Sequence, residues 1–339
     1  MIRDRLRVRI VAPSSVVPRA ELKLGVSELK AQGFDVEVDP QVKKKDLFFA
    51  GSTDERVKAL VQAAYSDDVD VIWCARGGYG ANHLLGPLRQ ALMERGIPAR
   101  KKLLVGSSDA SSLLEFARVR WRFSALHAPM PGLKKFALLS PEEKAVAYSW
   151  IRGTRPDQPW GKLRSLKWWG EVPREKISGT VVGGNLTVWN TLLGTRFQPD
   201  PQESSILFLE DVTETLPRLD RALRHLVDAG GLKNIRAIVL GNFLDCEDAV
   251  PQVLGQLPQK LTAASLTRPS SKLMRPLRKK FTQIDGLRRI FEPISEEFGV
   301  PVAWGLPVGH GPEQFSLPLG GRLELTPTGQ VEISQWDWL

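Results

Sequence analysis

Lys102-Leu103-Leu104-Val105-Gly106-Ser107-Ser108-Asp109-Ala110-Ser111-Ser112-Leu113-Leu114-Glu115-Phe116 changes character at its centre. A short apolar run, Leu103 to Val105, ends in Gly-Ser-Ser-Asp, and a helix-like pattern starts at once. A strand-to-helix turn of this kind exposes one serine hydroxyl and aims the next backbone N–H groups at the same point. The same residues also fit an ordinary βα loop in which Ser108 or Asp109 caps the helix. Taken alone, the segment leaves both readings open.

The residues before it set the architecture. Leu6 to Ala12 and Phe34 to Val38 read as strands, and Glu21 to Gln32 as a helix. Asp54 to Tyr65 is helical, with Val57, Leu60, Val61 and Ala64 on one face. Asp70 to Ala75 is a buried strand that runs into Arg76-Gly77-Gly78-Tyr79-Gly80-Ala81, with a helix from Asn82 to Leu88. Strands alternating with helices predict an α/β fold whose parallel sheet carries helices on both faces. In such sheets the site lies beyond the carboxyl ends of the strands, where both small-residue turns should meet.

Ser149 to Lys176 breaks the pattern and is rich in Trp, Pro and Gly, with Trp150, Trp160, Trp168 and Trp169. It reads as a linker packed across the surface. The expected organisation is a nucleophile domain over 1–150, a linker over 151–176, and a C-terminal α/β domain with a β-rich end over 177–339. That second unit begins with Ser178 to Leu186 as strand, turn and helix. It continues with a strand at Ser205 to Leu209, a helix at Leu216 to Ala229 and a strand at Ile235 to Leu240.

Composition narrows the function. The chain has 339 residues, 42% hydrophobic and 25% charged, an ordinary globular balance. No apolar run reaches membrane-spanning length, and Ile10 to Ala12 is too short for a secretory core, so a cytoplasmic protein without membrane contact is expected. Cys74 and Cys246 are far apart and read as buried small residues in a reducing compartment. The histidines show no ligand spacing, and neither a metal nor another cofactor is expected. The formal charge is +9, but Pro258 to Glu292 holds nine basic and two acidic residues, hence +7 of it. One local excursion of that kind does not make a nucleic-acid-binding face.

A hydrolytic serine needs a base, an acid to orient it, and N–H donors for an oxyanion. His225 lies in a helix and reads as surface, His83 follows the glycine turn and reads as structural, and His127 fits local scaffold. His310 stands in Gly309-His310-Gly311, on a loop with little crowding, and is the base candidate. Glu210 ends the apolar strand Ile206 to Leu209, where a carboxylate needs a partner such as an imidazolium. A capping role, or an ion pair with Arg218 or Arg221, fits Glu210 as well, and Asp211 competes with it. The glycine turn offers the Gly78 N–H, with that of Asp109, as oxyanion donors. In the same turn, Arg76 and Tyr79 are substrate-binding candidates, Arg76 for a carboxylate.

The R-G-G-Y-G turn (76–80), the G-x-S-D turn (106–109), His127 to Met130, Gly183 to Leu186, Leu207 to Val212, Asp220-Arg221 and Gly305 to His310 with Leu317 to Gly320 occur in one order and spacing. With these motifs the chain resembles the LD-carboxypeptidase family of serine peptidases, which includes muropeptide LD-carboxypeptidases and microcin C immunity peptidases. The resemblance implies Ser108 as nucleophile, Glu210 as orienting acid and His310 as general base, in a cleft between two domains. It also implies a homodimer acting without cofactor on a murein tetrapeptide, releasing terminal D-Ala. The alternative within the family is cleavage of a peptidyl- or aminoacyl-nucleotide amide, for which Trp168, Trp169 or Trp189 would have to stack on a base. The chain departs from the family pattern at Ser107, usually aromatic, at Ala110 to Ser112, at Ala128, and in its long basic segment.

Overall fold

The computed structural model describes residues 5–201, 203–246 and 282–339. Most of the basic segment, 258–281, therefore lies outside the described residues. Its end, Thr282 to Glu292, enters a helix at Gln283–Phe298, where Arg288 pairs with Glu292 one turn on at 2.7 Å.

The first half alternates β1 (Arg7–Val11), α1 (Arg19–Ala31), β2 (Asp35–Val38), α2 (Thr53–Tyr65), β3 (Val71–Cys74), α3 (Asn82–Arg95), β4 (Leu103–Gly106), α4 (Ser111–Phe116) and β5 (Ser124–His127). These strands pair in parallel in the order β5-β4-β3-β1-β2. All four residues of β3 and of β4 are buried, because helices cover both faces of the sheet. Helix α2 begins in a reciprocal cap between Ser52 and Glu55, which satisfies two N–H groups at its first turn. The short helix α5 (Lys134–Ala137) and α6 (Pro141–Ile151) end this half.

The second half forms another sheet. Its core is parallel, running β7 (Ile177–Asn185), β8 (Ser205–Val212), β9 (Ile235–Leu244) and β10 (Val302–Gly309). Strand β6 (Lys167–Trp169), inside the stretch read as linker, pairs antiparallel with β10. The helices of this half are α7 (Leu186–Asn190), α8 (Leu216–Asp228) and α9 (Gln283–Phe298).

After β10 the chain crosses over. Strand β11 (Leu317–Leu319) joins the first sheet, antiparallel to β5, before β12 (Arg322–Leu325) and β13 (Val331–Gln335) return to the second. Among the described residues the result is a six-stranded sheet with the C-terminal β11 at its edge and a seven-stranded sheet. The halves also meet where Gly184 packs on Ser111, whose Oγ accepts the Asn185 N–H at 3.1 Å. Ser107 after β4, His127 at the end of β5, and Gly309 and His310 at the end of β10 line one small cavity, and Glu210 of β8 faces His127 at 3.7 Å. Among the described residues no helix is long and apolar enough to cross a membrane.

Candidate active site

Ser108 follows β4 directly and has φ +59°, a left-handed conformation that a serine adopts only under constraint. Ser107 before it is extended at φ −159°, so the chain reverses sharply between the two residues. The glycine turn packs against this point. A Cβ at Gly77 would stand 2.8 Å from the Ser108 Cβ, 2.9 Å from its Oγ and 3.3 Å from the Asp109 nitrogen. Only a residue without a side chain allows that approach.

The Asp109 carboxylate is buried and accepts the Ala81 N–H at 2.8 Å, which ties the Ser108 turn to the start of α3. Ser15, to which sequence reasoning gave no role, braces the same turn: its Oγ accepts the Tyr79 N–H at 3.1 Å, and its N–H donates to the Gly77 carbonyl at 3.3 Å. A serine in a loop carries no local signal of such a task. Arg76 donates from one Nη to the Val16 carbonyl at 3.0 Å. Tyr79 is 54% exposed, lies over Phe49 and reaches His83 Nε2 through its hydroxyl at 3.2 Å.

Glu210 is completely buried near the end of β8, and His310 follows the last residue of β10. His310 Nδ1 lies 2.6 Å from Glu210 Oε2, and the His310 backbone N–H donates to the same oxygen at 3.3 Å. An ionised carboxylate only accepts, so the ring proton sits on Nδ1 and Nε2 keeps a free lone pair. Burial by itself would push the Glu210 carboxyl up, but the charge of the adjacent His310 imidazole, with the contacts from His127 and His310, holds it at about 2. For His310, burial opposes the cation, yet the charge and hydrogen bond of Glu210 and the charge of Asp211 raise its pKa above the ordinary 6.5.

Asp211 does a different job. Its carboxylate accepts from Asn185 Nδ2 at 3.0 Å and from the Thr187 N–H and Oγ1 at 2.9 and 2.7 Å, fixing the first turn of α7. Arg218, the alternative partner for Glu210, pairs with Glu214 at 3.2 Å. Of the other histidines, His225 reaches Asn190 at 2.8 Å, whereas His127 lies under the site, its Nε2 3.7 Å from Glu210 Oε1. Ser107, His127 and His310 line one cavity of about 30 Å³. The structure therefore brings Glu210 and His310 together and sets the glycine turn on Ser108. It places Arg76 and Tyr79 in that turn as well. His127 had only the strand end before it as a signal, since its partner comes from the other sheet.

Of the tryptophans named for base stacking, two are packed within the protein and the third is half-buried. Trp169 stacks on Trp304 with centroids 5.1 Å apart, Trp189 is buried, and the Trp168 indole N–H donates to the Pro327 carbonyl at 3.0 Å.

Both halves of the chain have known relatives. The chain matches the sequence models of the LD-carboxypeptidase N-terminal domain over residues 8–128 and of the LD-carboxypeptidase C-terminal domain over residues 178–325. It is 29% identical over 322 residues to the murein tetrapeptide carboxypeptidase of Pseudomonas aeruginosa, covering 93% of this chain and 91% of that one. The crystal structure of a muramoyltetrapeptide carboxypeptidase from Oxalobacter formigenes superposes with a TM-score of 0.67 at 26% identity, over 96% of this chain and 97% of the other. The microcin C7 self immunity protein MccF, in its wild-type apo state, superposes with a TM-score of 0.73 at 18% identity, over 100% and 98% of the two chains, and so shares the fold.

Proposed function

The chain belongs to the LD-carboxypeptidase family, and on that premise we propose that it is a serine carboxypeptidase that cleaves the L,D-amide bond releasing terminal D-Ala from a murein tetrapeptide. The observation that carries the reading is the 2.6 Å contact between His310 Nδ1 and the buried Glu210, beside a small cavity that His310 lines together with Ser107, the neighbour of the left-handed Ser108. The whole-length likeness to the Pseudomonas aeruginosa enzyme supports the substrate class.

In this reading Glu210 holds the imidazole and stabilises its charge. His310 Nε2 takes the Ser108 proton as Oγ attacks the carbonyl of the scissile amide. The negative oxygen that forms is received by the Gly78 and Asp109 N–H groups. The C–N bond then breaks, His310 returns the proton to the leaving amine, and free D-Ala departs. Water, deprotonated by the same imidazole, hydrolyses the acyl-enzyme and restores Ser108. Arg76 binds the terminal carboxylate and Tyr79 borders the peptide. The cytoplasmic location and the homodimer implied by the family resemblance go with this assignment.

The nucleotide-amide alternative has less support, because Trp169 is stacked on Trp304 and Trp189 is buried, which leaves the half-buried Trp168 as the remaining candidate of the three. Mass spectrometry of a tetrapeptide ending in D-Ala tests the proposal. Wild type should remove one D-Ala and Ser108→Ala none; cleavage by both proteins would sink the assignment of Ser108. No cleavage by either would move the substrate to an aminoacyl-nucleotide amide, to be assayed the same way.

A further inference from the structure

We propose that His127 is a positioning residue, which holds the second oxygen of the Glu210 carboxylate so that the acid is clamped between one imidazole from each sheet. The inference rests on the assignment of Glu210 and His310 to the reaction.

His127 ends β5, paired in register with Gly106 of β4, two residues before Ser108, and with Leu317 of β11. It is 1% exposed and meets the Phe208 ring edge-on, at 5.2 Å between centroids. Glu210 Oε2 is taken by His310, while Oε1 faces His127 Nε2 at 3.7 Å. Among the described residues neither ring nitrogen of His127 nor Glu210 Oε1 has a hydrogen-bond partner. Two buried polar groups left open toward each other are a costly arrangement, and a shift of about 1 Å closes the gap into a charge-assisted bond. Because β5 and β11 belong to the first sheet and β8 to the second, that bond also fixes how the half carrying Ser108 sits over the half carrying the base.

Two consequences follow. A carboxylate bonded at both oxygens does not swing about its Cγ–Cδ bond, so the His310 ring keeps its aim. Its charge is also shared, so Oε2 holds the His310 proton less tightly than an unshared carboxylate would. The acidic groups acting on His310 are Glu210 and Asp211, both on β8, with His127 across Glu210 from β5. Cys246 also feels the two carboxylates, but burial pushes its thiol up to about 12 and it stays neutral.

The experiment compares wild type, His127→Phe and His127→Gln by tetrapeptide turnover against pH and by ¹⁵N-histidine NMR titration of His310. His127→Phe should lower kcat roughly 10- to 100-fold with KM unchanged, the range expected of a displaced catalytic group. It should also move the His310 titration to higher pH, and His127→Gln, which still donates, should largely restore both. Wild-type kcat and His310 titration in His127→Phe would overturn the clamp. So would equal loss in both variants with His310 unmoved, since that is the signature of packing alone. Should the Phe variant fail to fold, His127→Asn, too short to reach Oε1, takes its place with the same expectations. A Ser108→Ala protein that still turned over the peptide would remove the reaction assignment, whereas the titration needs no turnover and judges the clamp separately.

Discussion

Gly309 lies directly against the Glu210 carboxylate: a Cβ at residue 309 would stand 2.7 Å from Oε2 and 2.9 Å from the Cβ and Cγ of Glu210. Residue 309 also has φ +109°, which side-chain-bearing residues rarely adopt. The glycine before His310 thus lets the imidazole reach the Glu210 carboxylate at 2.6 Å.

Gly309→Ala should therefore damage the site twice. The strained backbone costs about 1–3 kcal/mol, visible as a lower Tm. The displaced Glu210 should lower kcat by about 100-fold or more. A variant with wild-type kcat would show that the contact is not needed for the reaction.

Gly77→Ala tests the close approach of the glycine turn to Ser108. Gly77 is itself buried, and the added methyl meets the Ser108 Cβ and Oγ at 2.8 and 2.9 Å and the Asp109 nitrogen at 3.3 Å. Overpacking should lower stability by about 1–3 kcal/mol, and kcat should fall roughly 100-fold as Ser108 is pushed aside. Steady-state kinetics beside a melting curve distinguishes this from general misfolding.

The pH dependence follows from the two shifted groups. The general base must be neutral, and His310 has its pKa raised above 6.5. The acid limb of kcat/KM should therefore lie above the free-imidazole value, with activity falling as pH drops through it. Glu210, held at about 2, stays ionised throughout that range. Glu210→Gln should move the limb down, because the carboxylate that raises the imidazole is gone. For stability the signs oppose. The His310 contribution is fully present below its unfolded pKa and is lost as pH rises through the raised folded value. The Glu210 contribution is present above the ordinary carboxyl range and is lost as pH falls from there through about 2.

Arg76→Ala tests the carboxylate contact. One Nη is spent on the Val16 carbonyl, so the variant should lose some order in that loop. Its main effect should be on KM, raised about 10-fold or more, in line with roughly 1.5–3 kcal/mol for a hydrogen bond to a charged group. Unchanged KM and kcat would remove Arg76 from the substrate site.

Much of this was legible in the sequence because it is local. The run Leu103 to Val105 into Gly-Ser-Ser-Asp needs no distant contact to read as strand and turn, and the structure has β4 at Leu103–Gly106 with Ser108 left-handed directly after it. The apolar strand leading to Glu210-Asp211 and the glycines around His310 are equally local. What the sequence could not assign was the division of labour between Glu210 and Asp211. Neighbouring strand residues point to opposite faces, and nothing in the chain says which face the base occupies. Packing of β8 between β7 and β9 decided it, with Glu210 toward His310 and Asp211 toward α7. Tertiary structure alone also sent β11 back across to β5 and set His127 beneath Glu210, because both contacts join residues of different sheets. Local pattern dictates which backbone conformation a segment takes. Which side chains meet between the sheets depends on how the two sheets pack together.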